Sequence, residues 1–118
     1  MGRRHAQCKA NMKKRGEIWW INFEPSVGEE VRKKRPAVII SNDVSNKYIK
    51  RYQVVPVSSS IEKLYPSESL IKVSGKNSKV MADQLTTVSE LRFLDKIGQV
   101  TPSELEEIER VIRLQLDL

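Results

Sequence analysis

One histidine, one cysteine and five glycines leave this 118-residue chain little of the usual equipment of an enzyme. The histidine is His5, ahead of any apolar pattern, so catalysis by paired imidazoles and a Ser-His-Asp triad are both excluded. Cys8 has no second thiol to pair with in the chain, which fits a reducing cytoplasm. No Cys/His set has zinc spacing, and no close group of acids points to a two-metal nuclease. The glycines form no Walker pattern. No apolar run is long enough to span a bilayer, and the basic N-terminus lacks the apolar segment of a secretory signal. A cytoplasmic protein without membrane contact, metal or cofactor is expected. Any chemistry falls to Arg, Ser, Glu, Asp or Gln.

What the chain does have is positive charge, unevenly placed. The formal net charge is +6. Six cations (Arg3, Arg4, Lys9, Lys13, Lys14 and Arg15) precede the first acid. Residues 32–79 hold eleven Lys/Arg against Asp43, Glu62 and Glu68, whereas residues 101–118 hold five acids against Arg110 and Arg113. A positive middle region is either a solvated lysine-rich face or the footprint of a polyanion.

Residues 1–12 show no apolar periodicity and read as a disordered basic extension, with Met12 a second candidate start; residues 13–118 read as one domain. GEIWWINF (16–23) is a bulky β-prone run and predicts a strand. EPSVGEEVRKKR (24–35) predicts a loop long enough to be functional. PAVIIS (36–41) predicts a strand buried on both faces. Residues 42–46 predict a turn. YQVVPVS (52–58) predicts a strand in which Pro56 demands an edge or a bulge. Residues 70–73 and 79–82 predict a hairpin around SGKNS, and 96–100 a last strand, with 83–94 ambiguous. Thr101, Pro102 and Glu104 form a capping-box pattern that starts a helix. Leu105, Ile108, Ile112 and Leu116 make its core stripe, and Val111, Leu114 and Leu118 a second stripe open to a partner or to intradomain burial. Strands followed by one helix predict a mainly β (α+β) domain, a small bent antiparallel barrel.

Four blocks now carry a resemblance. GEIWWINFEP (16–25), Gly28-Glu29-Glu30 followed by RPAVIIS (35–41), VPVSS (55–59) and ADQLTTV (82–88) resemble, in order and spacing, the motifs of the MazF/PemK toxins. The resemblance implies an SH3-like β-barrel with a C-terminal helix. It implies a type II toxin that cleaves single-stranded RNA, leaves a 2′,3′-cyclic phosphate and a 5′-hydroxyl, and stops translation. It also implies a cognate antitoxin that holds the enzyme inactive.

The same match implies roles for single residues. Arg35 takes the place of the catalytic arginine, whose planar fork suits a phosphorane. Ser58 stands where the family usually has threonine; it keeps the hydroxyl donor without the methyl that restricts χ1. Ser59 is an adjacent spare. Glu30 matches a loop glutamate that could accept the 2′-OH proton or orient Arg35 through an ion pair. Asp83 and Gln84 match a pair that holds RNA or reads bases. Met81 stands where PemK-type members have arginine, so the site looks closer to the MazF type. By their charge rather than by the match, Lys33, Lys34 and Lys79, with Lys50, Arg51 and Lys76, are expected phosphate contacts. Trp19 and Trp20 should face opposite sides of their strand, one in the core.

A symmetric homodimer is expected, and so is an antitoxin whose acidic C-terminal tail, disordered when free, competes for the RNA groove. Two other readings stay open at this point: a CcdB-like toxin that poisons gyrase through a protein surface, and an inactive barrel used as a binding module.

Overall fold

The computed structural model describes residues 13–25, 27–30 and 33–118. The expected basic extension over residues 1–12, with His5 and Cys8, lies outside the described residues. Among the described residues, seven strands and two helices follow along the chain: β1 (Glu17–Asn22), β2 (Lys34–Ile39), α1 (Asp43–Ile49), β3 (Arg51–Ser58), β4 (Glu68–Val73), β5 (Lys76–Met81), β6 (Thr86–Ser89), β7 (Phe93–Gln99) and α2 (Pro102–Leu116). Short 3-10 turns at Ala82–Gln84 and Glu90–Arg92 flank β6. The ladders are all antiparallel and run β4-β5-β3-β2-β1-β7, with β6 on β3. The sheet curls into a half-barrel, and α2 packs against β4 and the first 3-10 turn.

Strand alternation sorts the apolar residues into two clusters. Ile18, Val38, Val55 and Val57 pack with Ile71, Val80, Val100 and Ile108 of the helix. Trp19, Ile21, Ala37 and Ile39 pack with Tyr52, Val54 and Val88, and Phe23 and Phe93 seal that side. This is why the run Pro36 to Ile39 is nearly all apolar: neighbouring residues enter different clusters, so both faces of β2 need hydrophobic side chains.

Pro56 is neither at an edge nor at a bulge. It lies inside β3, opposite Ala37 of β2. On the other side β6 pairs up to Val54 and β5 begins at Val57. A residue without an N–H falls in the gap between two partner strands, where no ladder donor is required.

Three local expectations change. Residues 42–46 do not form a turn but open α1: the Asn42 side chain accepts from the Ser45 N–H at 2.8 Å, and buried Asn46 donates to the Ser41 carbonyl at 3.0 Å. The helix is short and leaves Val44 and Tyr48 exposed, so it has no apolar stripe to announce it. The hairpin turn is only Ser74-Gly75, with φ of 51° and 80°. Two successive positive φ values are what the tight I′ turn needs, and they let β5 start at Lys76. In α2 the capping box forms as expected. Val111, however, is fully buried, while Leu116 is exposed with Leu114 and Leu118.

Candidate active site

β2 begins immediately before Arg35, and the chain entering it is constrained. Lys33 has φ of 64°, a left-handed conformation uncommon for a residue with a Cβ. Its N–H donates to Glu24 Oε1 at 2.8 Å and its carbonyl accepts from the Phe23 N–H at 2.9 Å. These bonds close the base of the loop between β1 and β2 and set where Arg35 enters the sheet. Arg35 then pairs with Ile21.

A hollow of about 260 Å³ is lined by Trp20, Lys33, Lys34, Arg35, Pro36, Val57, Ser59 and Ser78. Among the described residues its lining has three cations and no acid. The Arg35 Nε is buried and has no hydrogen-bond partner among the described residues. A buried guanidinium N–H without an acceptor carries a desolvation penalty until something supplies one. With its electropositive walls, the hollow suits an anionic group carrying several acceptor oxygens, such as a phosphodiester.

Ser58 ends β3 and lines neither hollow, although Val57 and Ser59 on either side of it line the smaller one; its Oγ accepts from the Ser60 N–H at 3.1 Å. That bond leaves the hydroxyl proton available for another acceptor. Ser59 lines the hollow itself.

Glu30 is elsewhere. It lines a second hollow of about 520 Å³ with Phe23, Glu29, Pro56, Asp83, Gln84 and Arg92 among others. Its Oε1 accepts from the Val27 N–H at 2.7 Å, closing its own turn. Among the described residues no ion pair joins Glu30 to Arg35, so the expected orienting contact does not form. Asp83 and Gln84 do sit together in this hollow, on the 3-10 turn after β5. Adjacent residues of β3, Pro56 and Val57, line the larger and the smaller hollow respectively. Opposite projection along a strand puts the two hollows on either side of its end.

Lys79 departs furthest from expectation. It is 8% exposed, and its ammonium donates to Glu68 Oε1 at 3.0 Å and to the Lys63 carbonyl at 2.8 Å. A cation turned inward and neutralised is not placed as a phosphate contact. Lys50, Arg51 and Lys76 line neither hollow.

The sequence reading missed three residues. Ser78 lines the smaller hollow. Glu68 is the buried partner of Lys79. Arg92 donates through Nη1 to the carbonyls of Asn22 (3.0 Å) and Glu24, tying the start of the β1–β2 loop to the second hollow. None carries a local signal: strand register places Ser78 and Glu68, and the 3-10 turn before β7 places Arg92.

Residues 14–116 match the family described as the PemK-like, MazF-like toxin of type II toxin–antitoxin systems. The chain belongs to this family. It is similar to the endoribonuclease MazF9 of Mycobacterium tuberculosis, with 36% identity over 116 residues, covering 91% of this chain and 98% of the relative. The crystal structure of MazF from Deinococcus radiodurans superimposes with a TM-score of 0.80 at 25% identity, covering 91% of this chain and 98% of that one. A mycobacterial endoribonuclease solved in complex with its cognate antitoxin shares the fold, with a TM-score of 0.76 at 20% identity over 90% of this chain and 96% of that one. The PemK/MazF match spans both hollows. Arg35, Ser58, Asp83 and Gln84 therefore all lie inside the family domain. Among the described residues no group of three or more His, Cys, Asp or Glu side chains is placed to hold a metal, and no helix is long and apolar enough to cross a membrane.

Proposed function

We propose that this chain is the toxin endoribonuclease of a type II toxin–antitoxin system and cuts single-stranded RNA without a metal ion. The substrate's own 2′-OH attacks the adjacent phosphorus. The P–O5′ bond breaks, leaving a 2′,3′-cyclic phosphate and a 5′-hydroxyl; the proton lost by the 2′-OH is matched by one gained by the departing 5′-oxygen. The carrying observation is the buried Nε of Arg35, unpartnered among the described residues, in a hollow whose three charged lining residues are all cations. Arg35 stabilises the charge growing on the phosphorane oxygens, and Ser58 donates to one of them. Lys33 and Lys34 hold flanking phosphates. The larger hollow, with Asp83 and Gln84, takes an unpaired base.

The experiment is cleavage of a short RNA oligonucleotide pool by purified protein in EDTA, with end-group analysis. Cyclic-phosphate ends are expected, and a single 2′-deoxyribose at the cut site should stop the reaction. A 3′-hydroxyl product, or cutting of the deoxy substrate, overturns the reading.

The inhibitor in this proposal is an antitoxin whose acidic C-terminal segment occupies the same cationic hollow, with apolar anchors supplying the affinity that screened charge does not. RNA and such a peptide should compete, and charge reversal at Lys33 and Lys34 should weaken both.

A further inference from the structure

The segment between β3 and β4, residues 59–67, leaves the sheet at Ser58 and returns at Glu68. Its first residues border the Arg35 hollow, since Ser59 is one of the lining residues. Its second half is held by two buried side chains. Glu68 Oε1 accepts from the Tyr65 N–H at 2.8 Å and from the Lys79 ammonium at 3.0 Å. The same ammonium donates to the Lys63 carbonyl at 2.8 Å and lies 5.7 Å from the Tyr65 ring centroid. Lys79 is 8% exposed and Glu68 7%.

Register explains the pairing. Glu68 lies opposite Met81 and Leu70 opposite Lys79, so Glu68 and Lys79 are diagonal neighbours on one face of the β4–β5 hairpin. Lys79 also lies opposite Ser58 on β3. One ion pair therefore touches the β4–β5 hairpin and the loop, and its lysine sits beside the strand end that carries the hydroxyl.

We propose that Glu68 and Lys79 are positioning residues: their buried ion pair clamps the 59–67 loop and so sets Ser59 against the Arg35 hollow and fixes the strand end at Ser58 beside it. The inference rests on the reading of that hollow as the cleavage site, and it assigns Lys79 a role other than a phosphate contact. Removing one partner leaves an uncompensated buried charge and frees the loop. Removing both leaves no bare charge but still no clamp.

The test compares wild type, Lys79→Met, Glu68→Gln and the double variant Lys79→Met/Glu68→Met. Lys63 is the only basic residue of the loop, so trypsin cutting after it reports loop release. Release should speed this cut at least tenfold at temperatures well below the melting point. In RNA cleavage, kcat should fall about tenfold or more with KM within threefold, and the salt dependence of binding to a 2′-deoxy analogue should keep its slope. Lys79→Arg should recover part of the loss. If the single variants do not fold, the double variant decides alone.

Wild-type kcat in a variant whose loop is released overturns the proposal, and so does an unchanged rate of cutting at Lys63. A salt slope shallower by about one, with kcat preserved, would instead make Lys79 a phosphate contact. An inactive wild type with a protected Lys63 would sink the cleavage reading while leaving the clamp in place.

Discussion

Trp19 and Trp20 leave β1 on opposite faces: Trp19 is 9% exposed and donates its indole N–H to Glu17 Oε1 at 3.0 Å, while Trp20 is 41% exposed and lines the Arg35 hollow. Adjacent identical side chains thus serve the core and the site separately. Trp19→Ala removes a ring packed edge-on against Phe93, at 5.7 Å between centroids, and should destabilise the fold by about 3–5 kcal/mol. Trp20→Ala should stay within about 1 kcal/mol of wild type. Urea unfolding separates the two; equal losses would mean that Trp20 is also a core residue.

Arg35→Ala should remove about 3–4 kcal/mol of transition-state stabilisation, roughly 10²–10³-fold in rate, as for other preorganised donors. Thermal stability should hold or rise, because the variant deletes an unpartnered buried N–H. Single-turnover cleavage within tenfold of wild type would take Arg35 out of the mechanism.

Ser58→Ala should slow cleavage and Ser58→Thr should preserve or raise it. The Oγ already accepts from the Ser60 N–H, so alanine loses both the donor to substrate and the first bond of the loop. If Ser58→Ala cuts RNA as fast as wild type, the hydroxyl has no part in the reaction and attention shifts to Ser59.

Glu17 predicts a pH limb of stability. Burial opposes its charge, but the Lys14 N–H, the Trp19 indole and the Lys96 ammonium together outweigh it and hold the carboxyl below its ordinary value of 4.5. A depressed folded pKa favours folding above the unfolded value. The contribution is lost as pH falls past about 4.5 and through the folded value. Glu17→Gln should flatten this part of the stability–pH curve. An unchanged acid limb would assign it to other carboxylates.

Exposed Leu114, Leu116 and Leu118 at the end of α2 give a self-associating copy an apolar strip to cover. Light scattering at micromolar concentration should report a dimer, weakened by Leu114→Asp with Leu118→Asp. Val111→Asp is not a usable probe, since Val111 is fully buried and its loss would unfold the chain. A monomer in the wild type rules the strip out as a self-contact.

Much of the architecture was legible along the chain. β1, the centre of β2, β3 and the capped α2 stand close to where propensity, alternation and the Thr101–Glu104 box put them. Those signals lie within a few residues of one another, so sequence order is enough to read them. The motif blocks likewise named Arg35 and Ser59, which share one hollow with Lys33 and Lys34, and Asp83 with Gln84, which line another. Which cation meets solvent was not legible. Lys34 and Lys79 both stand in strands and look alike in sequence, yet one is exposed and the other buried on Glu68. Likewise Glu30 closes its own turn rather than reaching Arg35. Register decides such matters. The Ser74-Gly75 turn sets Glu68 diagonal to Lys79, and the switch from β6 to β5 leaves a place for Pro56. A charged side chain settles on the nearest group that neutralises it, and that group is named by neighbours distant in the chain, which exist only once the sheet has closed.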